Sequence, residues 1–97
     1  MVKVYLKDIL YIESLRDYVR VKTASRAVIT YQKISYLEQK LPENKFIRVH
    51  RSFIVAFGKV ISFTQNTVKV GNMDIPIGRN YKIGTLRALN KDNLLTS

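Results

Sequence analysis

The chain has 97 residues, 46% of them apolar, with 17 Lys and Arg against 7 Asp and Glu for a net charge of +10. That length supports one core and not two, and no stretch approaches the roughly 20 apolar residues a membrane span needs. The alternating start, Met1-Val2-Lys3-Val4-Tyr5, lacks the continuous apolar core of a signal peptide. The absence of cysteine removes disulfides, thiolate metal sites and thiol nucleophiles, and fits a cytoplasmic protein.

Taken in chain order, the pattern is mainly period two, the mark of half-buried strands. Val2, Val4 and Leu6 alternate with Lys3, Tyr5 and Lys7 and predict a first strand; residues 9–13 predict a second, apolar one. In residues 18–23, Val19 and Val21 face one way and Tyr18, Arg20 and Lys22 the other. Residues 26–30 read as the hairpin partner of that strand, with Thr23-Ala24-Ser25 at the turn. The period then changes. Across residues 31–41, Ile34, Leu37 and Leu41 recur at helical spacing with Gln32, Lys33, Glu38, Gln39 and Lys40 outside, Thr30 is placed to cap the start, and Pro42 ends the helix. Strand-like runs resume at 46–47, 60–63, 67–70 and 73–77, with turns at Asn66 and at Gly71-Asn72. Residues 79–90 predict a short C-terminal helix with Ile83, Leu86 and Leu89 on one side, and residues 91–97 a frayed tail. The sum is a single domain, mostly β and antiparallel, a sandwich or barrel with one clear helix.

Catalysis finds little support. His50 is the single histidine, Ser52 lies in no nucleophile elbow, the carboxylates form no cluster suited to Mg²⁺, and the glycines at 58, 71, 78 and 84 make neither a Walker loop nor a dinucleotide fingerprint. No catalytic residue, metal or cofactor is expected. The charge points instead to a polyanionic partner. Nucleic acid is the commonest, with anionic membrane and ribosomal RNA as competitors and a basic surface kept for solubility as the plain alternative. The basic residues gather at Ser14-Leu15-Arg16-Asp17-Tyr18, at Arg48-Val49-His50-Arg51-Ser52 and at Gly78-Arg79-Asn80-Tyr81-Lys82, all predicted loops or strand ends. Arg can donate two parallel hydrogen bonds to guanine and Asn can pair with adenine, while Ser, Lys and backbone amides suit phosphates. Solvated loop charge explains any one of these segments alone. The six tyrosines allow stacking on unpaired bases, though strand tyrosines are more often half core.

Three blocks in order carry a resemblance. Phe46-Ile47-Arg48-Val49-His50-Arg51-Ser52-Phe53-Ile54-Val55 closely resembles the signature of the LytTR family of bacterial DNA-binding domains. Ile9-Leu10-Tyr11-Ile12-Glu13-Ser14, followed by Asp17-Tyr18-Val19, looks like that family's first block, and Ile75-Pro76-Ile77-Gly78-Arg79-Asn80-Tyr81 is similar to its last. The match covers about residues 2–89. It implies an elongated β-β-β sandwich whose loops, rather than a recognition helix, enter successive major grooves of double-stranded DNA. By position it implies base contacts from Arg16, Arg51 and Arg79, with Tyr18, Val19, Arg48, His50, Ser52, Asn80 and Lys82 as backbone or supporting contacts. Val19 stands where a relative has a base-reading histidine, which moves the expected first-loop contact to Arg16; Arg51 stands where some relatives carry Asn. Family members commonly follow a receiver domain in response regulators and bind paired direct repeats. The resemblance therefore implies a receiver elsewhere in the full-length protein, since none is read in these residues, and a dimer on DNA. A basic RNA- or ribosome-binding β domain and a protein-interaction module using strand edges are the other readings.

Overall fold

The computed structural model describes residues 3–92. Eight antiparallel strands form two sheets: β1 (Ile9–Ser14), β2 (Val19–Thr23), β3 (Ala27–Thr30), β4 (Phe46–His50) and β5 (Phe53–Ala56) in the order β3-β2-β1-β5-β4, and β6 (Val60–Phe63), β7 (Thr67–Val70) and β8 (Met73–Pro76) in chain order. Two helices, α1 (Ile34–Lys40) and α2 (Lys82–Asp92), complete an elongated body of 42 × 25 × 23 Å.

Each face of the five-stranded sheet carries a core, built with different elements. On one face, Tyr11, Val49, Phe53 and Val55 pack with Val68, Val70, Ile75 and Ile77 of the second sheet and its exit, and with Leu89 of α2. On the other, Ile9, Ile12, Val19, Val21, Phe46, Ile54 and Ala56 pack under Ile34, Leu37 and Leu41 of α1 and the segment that follows it. β5 therefore sends alternate side chains into two cores, and all four of its residues are buried. A strand buried on both faces shows no alternation, which is why the run 53–56 carries no period-two signal. A break in register between Ile9 and Tyr11 swaps the facing of β1, so that Leu10 and Tyr11 both serve the first core while Ile9 and Ile12 serve the second.

The structure corrects several expected elements. Residues 3–5 are not strand, and Leu6–Asp8 is a single 3-10 turn; both edges of β1 are already taken by β2 and β5, leaving that segment no strand to pair with there, and Lys3 O accepts instead from Arg26 Nη2 at 2.9 Å. The strand expected at 46–47 runs on as β4 through Arg48, Val49 and His50, so these three form a strand end. Helix α1 starts at Ile34, because Thr30 is paired to Val19 as the last residue of β3 and cannot serve as a cap. Leu41 is extended, as the residue before Pro42 prefers, and the helix ends there. In α2 the buried side is Thr85 and Leu89 with Leu86 partly covered, whereas Ile83 is 75% exposed. Lys91 and Asp92 continue this helix, and the remainder of the expected frayed tail lies outside the described residues. The turn at Gly71-Asn72 is as expected: Gly71 has φ +60°, the left-handed first position that a two-residue type II′ hairpin assigns to glycine.

Ile54→Ala, which empties a 1%-exposed site in the central strand, is expected to cost about 2–5 kcal/mol in urea unfolding, and Ile83→Ala less than about 0.5 kcal/mol. Similar losses for both would contradict the two-core arrangement.

Candidate nucleic-acid interface

The first basic segment is the β1–β2 turn, residues 15–18. It is closed by the Leu15 N–H donating to Tyr18 O at 2.8 Å, directly above the Ser14–Val19 pair. Arg16 and Asp17 are exposed at its tip, and Val19 anchors it with no exposed surface. Tyr18 is half-buried, its ring edge-on to Tyr31 at 5.9 Å. Just below, Glu13 and Arg20 face each other across the strands, with Arg20 Nη2 and Glu13 Oε1 2.5 Å apart. The carboxylate raises the already high pKa of the guanidinium. The pair is partly exposed, which limits what it adds to stability; its local effect is to neutralise a carboxylate beside the tip.

The second segment is the β4–β5 hairpin, whose two-residue turn is Arg51-Ser52. Arg51 is exposed, but its turn is held from inside. Arg48 Nε donates to His50 O at 2.8 Å and Arg48 Nη2 to Arg51 O, while Nη1 reaches Glu38 Oε1 of α1 at 2.7 Å. The Ser52 N–H donates to His50 Nδ1 at 3.0 Å, so a neutral His50 ring carries its proton on Nε2. The ring also packs edge-on to Phe53, with centroids 5.7 Å apart.

The third segment leaves β8 through Ile77 and Gly78 and forms a 3-10 turn, Arg79–Tyr81, that runs into α2. Arg79 and Asn80 are exposed. Tyr81 is half-buried, with the Arg48 guanidinium 5.7 Å from its ring centre. Lys82 Nζ donates to Asn66 Oδ1 at 2.9 Å, and the Ile77 N–H to Asn66 O at 2.8 Å, so the β6–β7 turn is fastened to this segment.

Two backbone hydrogen bonds join the three segments into one strip. The Ser14 N–H donates to Ser52 O at 2.8 Å, linking the first to the second, and the Gly78 N–H donates to Val49 O at 2.8 Å, linking the second to the third. Gly78 allows the second approach: a Cβ there would stand 3.1 Å from Tyr81 Cδ2 and 3.4 Å from His50 Cα. The structure thus brings Arg16, Tyr18, Arg51, Ser52, Arg79, Asn80 and Lys82 to one strip, with Val19 beneath it in the core and His50 within its central turn. Arg48 lies under the strip, its side chain only 12% exposed. Three residues that sequence pattern does not mark, Tyr31, Gln32 and Lys33, also lie here. Helical spacing assigns them to a helix, but they form an exposed connector beside the first turn, with Tyr31 80% exposed. The signal for this is the hairpin strand expected at residues 26–30: its pairing runs through Thr30 and pushes the helix start downstream.

A family model described as the LytTr DNA-binding domain matches residues 1–90. The chain belongs to that family. The sensory transduction protein LytT of Bacillus anthracis is 32% identical over 87 residues, covering 84% of this chain and 35% of its own length. The CO-responsive transcriptional regulator RcoM of Rhodospirillum rubrum is 35% identical over 88 residues, 84% of this chain and 37% of its own. The chain therefore spans about a third of the length of the curated relatives it matches. The solved LytTr DNA-binding domain of a putative methyl-accepting/DNA response regulator from Bacillus cereus superposes with a TM-score of 0.80 at 24% identity, covering 89% of this chain and 84% of that one, and shares its fold.

In this LytTr domain the closeness of the second and third segments rests on Gly78. Its φ of −69° is open to alanine, so Gly78→Ala isolates the steric term. The variant is expected to lose about 1–2 kcal/mol of stability and to shift the His50 and Tyr81 resonances; unmoved resonances would show that the two segments tolerate separation.

Proposed function

We propose that this LytTr domain reads double-stranded DNA by sequence, with the three segments entering successive major grooves from one side of the duplex. Arg16, Arg51 and Arg79 contact bases. Ser52, Asn80 and Lys82 contact phosphates, with Tyr18 and His50 at the strip and Val19 supporting from below. The observation that carries this reading is the strip itself, on which three exposed arginines stand on segments tied to one another by backbone hydrogen bonds. Arginine at a fixed position donates two parallel bonds to guanine O6 and N7, which discriminates bases, whereas scattered mobile cations give only sequence-blind attraction.

The electrostatics agree. Of the carboxylates around the strip, Glu13 is paired with Arg20 and Glu38 with Arg48, while Asp17 stands exposed beside Arg16; the exposed Arg16, Arg51 and Arg79 outnumber it and leave the outward field positive. The domain would act as the output part of a transcriptional regulator, in keeping with relatives named for sensory transduction and transcriptional regulation. A receiver or other sensing domain elsewhere in the full-length protein, and two copies on paired direct repeats, complete the proposal.

Selection of binders from a random duplex pool, followed by affinities for the winning and scrambled duplexes across a salt series, tests it. A recurrent motif bound roughly 10³-fold tighter than scrambled DNA is the expected result. Arg51→Ala and Arg79→Ala should each cost about 1–3 kcal/mol and relax preference at separate positions of the motif. A steep salt slope without a motif would reduce the strip to a non-specific polyanion site, and tighter binding of structured RNA at equal salt would move the reading to RNA.

A further inference from the structure

We infer that Arg48 is a positioning residue for DNA reading, one that holds the Arg51 turn in a shape its backbone does not favour and sets that turn against the Arg79 segment. This rests on the three segments being the DNA-reading surface. It gives Arg48 a different part from the phosphate contact that its place in the basic cluster first suggests.

Three observations carry it. The guanidinium is already engaged at every nitrogen: Nε donates to His50 O at 2.8 Å, Nη2 to Arg51 O, and Nη1 to Glu38 Oε1 at 2.7 Å. Three of its five N–H donors are committed, and with the side chain only 12% exposed little of the guanidinium is open to a phosphate. The second observation is the turn. Two-residue hairpin loops favour type I′ or II′, which need a positive φ at the first or at both central residues. Arg51 and Ser52 have none; among the described residues no non-glycine φ is positive. An unprimed turn splays its strands. Here the two carbonyls on one side are gathered by Arg48, and the Ser52 N–H on the other is taken by His50 Nδ1. The third observation is that the same guanidinium lies 5.7 Å from the Tyr81 ring centre, against the turn that carries Arg79. One cation thus fixes the second segment internally and in relation to the third. Lysine has the charge but no planar fork with which to gather two carbonyls.

The test compares wild-type protein with Arg48→Lys and Glu38→Gln. For each, affinities for the winning and scrambled duplexes are measured across a salt series, and hydrogen exchange of the Ser52 and Gly78 amides is measured without DNA. Thermal unfolding monitors the fold. Arg48→Lys is expected to lower the preference for the winning duplex by roughly tenfold, to leave scrambled-DNA affinity within about twofold and the salt slope unchanged, and to speed exchange at Ser52. Glu38→Gln removes an anchor on an exposed side chain while leaving Arg48 in place, so it should lower preference in the same direction even if Arg48→Lys folds poorly.

Full retention of preference and of Ser52 protection by Arg48→Lys would overturn the inference. So would full retention of preference and of Ser52 protection by Glu38→Gln, whose sequence-blind binding tightens slightly through loss of the carboxylate in any case. A wild-type protein without any sequence preference would defeat the reading of the strip itself, and the amide measurement, which needs no DNA, would still decide what Arg48 holds.

Discussion

The double-sided burial of β5 is the constraint on which the rest of the molecule depends. Phe53 and Val55 go to the core shared with the second sheet, Ile54 and Ala56 to the core under α1, and every residue of the strand is buried. Residues with that pattern can occupy only the middle of a covered sheet. Once there, β5 holds β1 on one edge and β4 on the other. The ends of those strands are Ser14 and His50, where two of the basic segments begin. The position of the interface is thus a consequence of core packing.

Arginine serves two purposes in this fold, and pairing separates them. Arg20 and Arg48 are matched to Glu13 and Glu38, and Arg48 also holds backbone carbonyls. Arg16, Arg51 and Arg79 stand exposed on segments whose backbones are held by others. A net charge of +10 draws a polyanion toward the domain over about a Debye length. Side chains presented in fixed directions need held backbones, and Arg48, by gathering the His50 and Arg51 carbonyls, holds one of those segments.

Much of this is legible in the amino-acid sequence. The alternation of residues 18–23 marks β2 and its facing, and the glycine at 71 marks the β7–β8 turn, because in both places local chemistry decides the outcome. The three basic segments also stand out by composition, and the fold brings them together. Features set by distant partners are not legible in this way. The run at 53–56 looks shapeless until the two cores exist. Residues 3–7 alternate as a strand does but pair with no strand among the described residues. The most instructive residue is Arg48: in sequence it is one more cation in a basic block, and only the register of β4 against β5 and the approach of α1 turn it inward.

The cover over the large sheet is lopsided. The second sheet packs on β1, β5 and β4, whereas β2 and β3 contribute only to the core under α1 and, among the described residues, leave Arg20, Lys22, Ala27 and Ile29 on a face without a partner layer. Strands buried on one side open locally at lower free energy than strands buried on both. The turn bearing Arg16 therefore sits on the softer half of the molecule, and the segments bearing Arg51 and Arg79 on the stiffer half. For a lineage of such regulators this is a division between what can drift and what must be kept. Residues 15–18 can change length or composition with little effect on folding, while changes around the other two segments disturb the scaffold itself.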